Sequence, residues 1–73
     1  MVQNWEYKLV ELYNEVQGTK VVVLWKEDGE KLPGDPKIRL KMNELGNQGW
    51  ELVAAHQAGG TVHIYYWLKR PKN

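Results

Sequence analysis

The sequence predicts an α+β domain in which a small antiparallel sheet, in β-β-α-β-β order, carries one helix packed on one face. Two pairs of β-branched and aromatic segments are each separated by turn residues, and a segment with helical spacing lies between the pairs. The 73 residues suffice for one domain, residues 1–73. Because the chain has no cysteine, it has no disulfides to stabilise it. We therefore expect its stability to come from a good core or from partner subunits.

The first predicted hairpin joins strands at 5–13 and 20–27. The segment 5–13 mixes aromatic, aliphatic and charged residues, and Lys-Val-Val-Val-Leu-Trp-Lys-Glu follows in 20–27 with high β propensity. A turn is predicted at Gln17-Gly18. That register sets two opposite-charge pairs across the hairpin: Glu15 with Lys20, and Lys8 with Glu27.

Turn signals and a helical pattern follow. Residues 28–36 contain Asp-Gly, Pro-Gly and Asp-Pro, which predicts an irregular exposed loop. A helix is predicted over 36–48, with Asp35 as N-cap, Pro36 as its first residue and Gly49 as a left-handed C-cap. Its narrow apolar stripe consists of Ile38, Met42 and Leu45.

The second predicted hairpin joins strands at 50–57 and 61–70 through Gly59-Gly60, a strong two-residue turn signal. Pro71 ends the last strand. The predicted cross-strand pairs are Gln57 with Val62, Ala55 with Ile64, Val53 with Tyr66, His56 with His63, Ala54 with Tyr65, and Leu52 with Trp67.

Both faces of this sheet are apolar. The set Val53, Ala55, Val62, Ile64 and Leu68 suits contact with the helix, while Leu52, Tyr65 and Trp67 lie on the opposite face. In the first hairpin, Val10, Leu12, Val23 and Trp25 share one side, and Tyr7, Leu9, Tyr13, Val22 and Leu24 share the other. A solvated sheet face normally alternates to polar residues. We therefore predict a homo-oligomer that buries the second face or edge strands.

Catalysis and metal binding have little support in the sequence. It contains neither serine nor cysteine, and its glycine spacings fit no phosphate loop or dinucleotide fingerprint. His56 and His63 paired across the last hairpin would be a weak metal site without a third ligand. We expect no enzyme, no metal and no cofactor.

Charge and hydropathy indicate the environment of the chain. The net charge of +1 is far from the basic excess of a duplex-DNA binder. No stretch has the pattern of a signal peptide or a membrane span. The expectation is a cytoplasmic protein with neither duplex DNA nor membrane as a partner.

Binding of a small ligand is better supported. Four Trp and four Tyr, with no Phe, provide broad π faces with polar handles. Such rings stack on nucleobases, while nearby cations or helix N-termini hold phosphate. The same residues also serve as core or subunit interface in small domains, and both interpretations stay open. The candidate ligand-binding residues are Tyr7, Trp25, Arg39, Tyr65, Trp67, Lys69 and Arg70.

The segment Asn43-Glu44-Leu45-Gly46-Asn47-Gln48-Gly49-Trp50-Glu51-Leu52-Val53 has a family resemblance. Together with Trp5-Glu6-Tyr7-Lys8 and Tyr66-Trp67-Leu68-Lys69-Arg70-Pro71, it resembles the small bacterial and phage family catalogued as domain of unknown function 4177. Physically, this segment is a helix end, a glycine cap and a strand entry. The loop over 27–36 is long for so small a domain, and we expect it to act as a lid or to lie in an adjacent subunit.

The resemblance implies a function. Small β-rich oligomeric phage proteins similar to this one include sponges, which bind cyclic nucleotide immune signals of the bacterial host. It thus suggests a non-enzymatic, phage-encoded homo-oligomer of the anti-CBASS or anti-Thoeris type, which sequesters a cyclic dinucleotide or a cyclic ADP-ribose-like signal. A structural or regulatory oligomerisation module without a small-molecule ligand is the alternative. A single-stranded nucleic-acid binder is disfavoured because such grooves are usually basic.

Overall fold

Two long strands form the first hairpin in the computed structural model, which describes residues 2–58 and 63–72. Strand β1 spans Trp5–Gln17 and pairs antiparallel with β2, which spans Lys20–Glu27. The turn consists of Gly18 and Thr19, and Gly18 has the positive φ of +66° that such turns favour in glycine. The predicted turn at Gln17-Gly18 is wrong, and the register moves by two residues.

That shift changes the predicted charge pairs. Glu15 faces Val22 instead of Lys20, and Glu27 faces Val10 instead of Lys8. Lys8 still reaches Glu27 diagonally, with Nζ 2.8 Å from Oε2, because diagonal neighbours lie within reach of long side chains. The Lys8–Glu27 contact is therefore confirmed, although its register is wrong.

The predicted irregular loop begins with a second tight turn. Asp28 and Gly29 have φ values of +51° and +86°, a combination that Asp-Gly sequences favour in hairpins. The turn allows a two-residue strand, β3 at Glu30–Lys31, to pair with the end of β2. The α+β class is confirmed, but the order is β-β-β-α-β-β, with five strands in the sheet.

Helix α1 spans Ile38–Asn47 and is shorter at its start than predicted. Its N-cap is Lys37, which makes no capping bond through its side chain, so Asp35 as N-cap and Pro36 as first helical residue are wrong. Its C-terminus is as predicted, because Gly49 has a φ of +89°. The amides of Gly49 and Trp50 donate to the carbonyls of Gly46 and Leu45, which is the Schellman arrangement.

The second hairpin pairs β4, Glu51–Gln57, with β5, Ile64–Pro71. Gln57 faces Ile64, whereas the predicted partner of Ile64 was Ala55, so this register is also shifted by two residues. The predicted Gly59-Gly60 turn, Thr61 and Val62 lie outside the described residues. The observed partners of the other residues are His56 with Tyr65, Ala55 with Tyr66, Ala54 with Trp67, and Leu52 with Leu68.

An irregularity between Leu52 and Ala54 shifts the ladder by one residue. Such a bulge moves the residues before it to the other side of the strand. Leu52 therefore shares a side with Leu68, so its predicted place beside Tyr65 and Trp67 is wrong. Val53, predicted to contact the helix, is 51% exposed.

The sheet order is β3-β2-β1-β5-β4, and α1 lies against one side of it. We call this side the covered face. Its buried core is Val10, Leu45 and Leu68, against which Ile38, Met42, Trp50 and Tyr66 pack. Because a two-residue shift preserves the alternation of side chains, the predicted division of the first hairpin into two sides is confirmed.

The molecule is elongated and leaves much of its surface open. Its radius of gyration is 14.0 Å, against about 11 Å for a compact chain of this length. Ten helical residues cover only one end of a sheet whose first strand has 13 residues. In residues 2–58 and 63–72, no helix has the length and apolarity needed to cross a membrane.

Candidate functional site: the open face of the sheet

The side of the sheet opposite α1 is the candidate functional site, and we call it the open face. Alternate residues of all five strands form it, since paired residues share a side. Their pairing fixes the members: Trp5, Tyr7, Leu9, Glu11, Tyr13, Glu15 and Gln17 of β1; Lys20, Val22, Leu24 and Lys26 of β2; Lys31 of β3; Tyr65, Trp67, Lys69 and Pro71 of β5, with His63 just before it; and Glu51, Ala54 and His56 of β4. Glu51 is the β4 partner of Lys69.

One end of the open face combines exposed aromatic rings with a cation. Tyr7 is 63% exposed, and Trp5 and Trp67 are 39% and 38% exposed. Lys69 faces Tyr7 across the strands, and its Nζ lies 4.2 Å from the centre of the Trp5 ring. This cation–π geometry holds an ammonium beside exposed rings. A nucleobase can stack on such rings, and a phosphate can pair with such an ammonium.

The other end carries a stack of rings. The Tyr65 ring lies between His56 and His63, with centroid distances of 5.1 Å and 4.4 Å and nearly parallel planes. Glu11 anchors the stack, because its Oε1 lies 2.9 Å from Nε2 of His63. The predicted pairing of His56 with His63 is wrong, since Tyr65 occupies the place between them. Among residues 2–58 and 63–72, no group of three or more His, Cys, Asp or Glu is arranged to hold a metal ion.

Tyr13 extends the open face towards β2. Its ring lies 5.8 Å from the His63 ring, and Nζ of Lys26 lies 4.9 Å from its centre. Its hydroxyl is buried and has no hydrogen-bond partner in the part of the chain that the structure describes. A buried hydroxyl is normally paired, so the Tyr13 hydroxyl is an unfavourable feature of the described chain.

The predicted ligand-binding residues separate into three places. Tyr7, Tyr65, Trp67 and Lys69 come together on the open face. Arg39 is an exposed residue at the start of α1. The remaining two, Trp25 and Arg70, lie on the covered face, where Nε1 of Trp25 donates to the Pro33 carbonyl over 3.2 Å.

Arg70 is already engaged on the covered face, so its predicted place beside Lys69 is wrong. Neighbouring residues of a strand point to opposite sides. Its guanidinium pairs with Glu6, donates to the Gln48 carbonyl over 2.9 Å and lies 4.3 Å from the Trp50 ring centre. A shallow cavity of about 570 Å³ borders it, lined by Glu6, Gln48, Gly49, Arg70, Pro71 and Lys72. The bonds of Arg70 fasten the end of α1 to the sheet.

An ionic cluster holds the other side of α1. Glu27 contacts Nζ of Lys41 and Nζ of Lys8, while Lys8 also lies 2.9 Å from Asp28. The hydrogen bonds from Lys41 and then Lys8 lower the pKa of Glu27 below its ordinary 4.5, although partial burial opposes them. Burial acts to lower the pKa of Lys8, but its bonds to Glu27 and Asp28 outweigh burial and raise that pKa above 10.5. These groups join β1, β2 and α1.

Sequence reasoning missed two features of the open face. Trp5 could have been predicted from the alternation along β1, because it lies two residues before Tyr7 and therefore points to the same side of the sheet. The Glu11–His63 contact joins β1 to the start of β5, and only the correct strand order reveals it.

No protein-family model, curated protein or solved structure matches this chain. The fold and the site define the class of protein: a small α+β protein with one covered face and one open aromatic face.

Proposed function

We propose that this chain is a non-enzymatic, homo-oligomeric binding protein that sequesters a small cyclic nucleotide signal on its open face. The observation that carries the proposal is the exposed cluster of Trp5, Tyr7 and Trp67 around the Lys69 ammonium. Stacking on an aromatic side chain contributes about 1–3 kcal/mol per base. A neighbouring ammonium attracts phosphate as a point charge.

Sequestration needs tight binding and slow release, without a chemical step. The residue composition supports this part of the proposal, since the chain has no serine or cysteine nucleophile. The same surface, borne by a phage-encoded protein in the cytoplasm of its bacterial host, would act as an anti-CBASS or anti-Thoeris sponge. The resemblance of Asn43–Val53 and its flanking motifs to domain of unknown function 4177 supports that setting.

A direct test incubates the protein with cyclic dinucleotides, cyclic mononucleotides and cyclic ADP-ribose. Thermal unfolding identifies the ligand that raises the midpoint, and heat denaturation followed by mass analysis of the supernatant shows whether that ligand returns intact. Intact ligand supports sequestration, whereas converted ligand indicates an enzyme. Absence of a thermal shift with every compound would overturn the proposal.

Matched variants locate the site. Trp67→Leu should weaken binding about tenfold or more, since it removes a stacking surface. Trp25→Leu is the control on the covered face and should leave affinity unchanged in the folded fraction. Similarly, Lys69→Gln should weaken binding, while Lys31→Gln on β3 should not. Equal effects of the paired variants would place the ligand elsewhere.

A structural or regulatory oligomerisation module without a small ligand is the second candidate. It is favoured by apolar residues far from the Trp5–Lys69 cluster: Val16, Val21 and Val23 are 72%, 65% and 43% exposed at the tip of the first hairpin. Aliphatic side chains of this kind suit protein contact better than nucleotide contact. Under this candidate, Val21→Lys would dissociate the assembly and no cyclic nucleotide would shift the unfolding midpoint.

A further inference from the structure

The two edges of the sheet are covered to different extents. The edge strand β3, Glu30–Lys31, pairs only with Lys26 and Glu27, so residues 20–25 of β2 have no further neighbour among the described strands. The opposite edge strand, β4, has seven residues, all of them exposed, and among the described strands it pairs with β5 alone. Its Leu52-Val53-Ala54-Ala55 segment contains no charge or proline. The bulge between Leu52 and Ala54 interrupts the start of this edge, so its regular part runs from Ala54 to Gln57.

The backbone of β4 presents hydrogen-bonding groups outward. The Ala58 amide donates to the His63 carbonyl over 2.8 Å. In an antiparallel ladder, residues that bond to the neighbouring strand alternate with residues that do not. Counting back from Ala58 through the observed pairs, His56 and Ala54 bond towards β5. The amide and carbonyl of Ala55 therefore point to the open edge.

The elongated chain exposes more surface than a compact monomer of its mass. It exposes 5431 Å², whereas a monomer of 8.5 kDa exposes about 4,700 Å². The excess of roughly 700 Å² leaves room for a standard interface of ~800 Å² per partner. A second copy of this chain fits an exposed edge strand, because an isologous contact uses the same edge on both subunits.

We infer that β4 pairs antiparallel with β4 of a second copy about a two-fold axis at Ala55. This rests on the homo-oligomer of the proposed function and names its interface. Ala55 lies within the regular part of the strand, after the Leu52/Ala54 bulge, and it offers both outward groups. The charged residue Glu51 lies at the far end of β4, so no like charges meet at the axis.

The pairing also specifies the ligand. The two-fold axis places the two open faces on the same side of one continuous sheet. Each row of side chains across the junction then contains Trp67 and Ala54 of one copy, followed by His56 and Tyr65 of the partner subunit. Trp67 of one copy and Tyr65 of the partner subunit are three strand spacings apart, about 14 Å. Two such rows are related by the axis, with small Ala54 side chains between aromatic walls. This groove suits a ligand with two planar bases, a cyclic dinucleotide.

Cysteine crosslinking tests the pairing, since the chain has no cysteine of its own. Ala55→Cys places two thiols at the axis, with Cβ atoms about 5.5 Å apart, which a short bismaleimide can bridge. The crosslinker should convert most of this variant into a covalent dimer. Lys31→Cys at the β3 edge is the matched control and should stay monomeric on a non-reducing gel. Equal crosslinking of both variants, or none at Ala55→Cys, would overturn the inference.

A backbone variant tests the same hydrogen bonds in solution. Ala55→Pro removes an outward amide, which edge strands tolerate, and should halve the mass found by sedimentation equilibrium while circular dichroism stays unchanged. Ala55→Ser keeps the amide and should keep the assembly. If Ala55→Pro unfolds, Ala55→Lys, which brings two like charges to the axis, replaces it. A wild-type monomer, or a proline or lysine variant that stays assembled, would contradict the pairing.

Calorimetry separates this inference from the proposed function. The expected stoichiometry is one cyclic dinucleotide per two chains. One ligand per chain would exclude the shared groove, even though the chain still sequesters a nucleotide. An Ala55→Cys crosslink together with no binding of any cyclic nucleotide would keep the edge pairing and overturn the proposed function alone.

Discussion

The two faces of the sheet are made by the same strands, yet they differ in almost every physical respect. On the covered face, Val10 and Leu68 are 0% and 1% exposed beneath α1. On the open face, Tyr7, on the same strand as Val10, and Trp67, next to Leu68, are 63% and 38% exposed. The strand alternation brings apolar residues to both sides. What differs is the presence of a helix.

The comparison separates folding from recognition. The covered face is fastened by directional contacts, namely the Glu27 cluster and the bonds of Arg70 to Glu6 and Gln48. The open face is held together by ring contacts within the sheet, such as those of Tyr65 with His56 and His63, and by the Glu11–His63 contact. Among the described residues, the fully buried aliphatic core lies only on the covered face, so stability depends mainly on that face and the exposed rings of the other are available to bind.

The neighbouring residues Leu68 and Trp67 give the sharpest test of this separation. Leu68→Ala should lower the free energy of unfolding by about 2–5 kcal/mol, since it opens a cavity in the core. That loss is comparable with the whole stability of a domain this small. Trp67→Ala should lower it by less than about 1 kcal/mol. Urea unfolding at fixed protein concentration measures both. A larger loss for Trp67→Ala would contradict the assignment of the faces.

Gly49 controls how the helix meets the sheet. Gly49→Ala should cost about 1–2 kcal/mol, because a side chain strains the left-handed backbone at a φ of +89°. Gly46→Ala is the control: Gly46 is helical, and nothing lies within 4 Å of an added Cβ, so alanine should stabilise by about 0.5–1 kcal/mol. Thermal unfolding distinguishes opposite signs at the two glycines. The same sign at both would show that the cap is not needed.

Glu27 gives the covered face a pH dependence. Glu27→Gln should cost about 1 kcal/mol near pH 7, since its charged hydrogen bonds are only partly buried. A lowered pKa means that the stabilisation is present above the ordinary value of 4.5 and is lost as pH falls through the folded-state pKa. The raised pKa of Lys8 gives the reverse: its stabilisation is present below 10.5 and is lost as pH rises through the folded-state value.

Unfolding measured from neutral to acidic pH checks this. The difference between wild type and Glu27→Gln should shrink below pH 4.5. Glu44→Gln is the control, because Glu44 is 60% exposed and 3.9 Å from the same Lys41. A Glu44 variant with the same acid dependence would refute the role of Glu27.

Local sequence signals predicted the helix end and the division of the first hairpin into two sides. Gly49 must adopt a positive φ, and alternation is insensitive to a two-residue register error. The registers themselves were not accessible. Charge pairing suggested Glu15 opposite Lys20, but Gly18-Thr19 forms the turn and Glu15 lies 3.8 Å from Lys31 instead.

The alternation of side chains along a strand also made part of the candidate site predictable. Tyr65, Trp67 and Lys69 alternate on one strand, so their common face followed directly from sequence. Leu52 was predicted on the wrong side of the sheet because no residue near it in the sequence signals the bulge at Val53. The Glu11–His63 contact depends on β1 lying between β2 and β5, a long-range choice that local patterns do not encode.

The smallest expected effect is at Tyr13, and its sign is informative. Removing the hydroxyl in Tyr13→Phe should leave stability unchanged or raise it by up to about 1 kcal/mol, since an unpaired buried hydroxyl is unfavourable. Tyr7→Phe is the control at an exposed ring and should change stability by less than about 0.5 kcal/mol. Unfolding is measured at several protein concentrations. A loss of stability in Tyr13→Phe at every concentration would contradict the unpaired hydroxyl. A loss confined to concentrations at which the chain assembles would show that assembly rearranges this part of the sheet and gives the hydroxyl a partner that it lacks in the single chain.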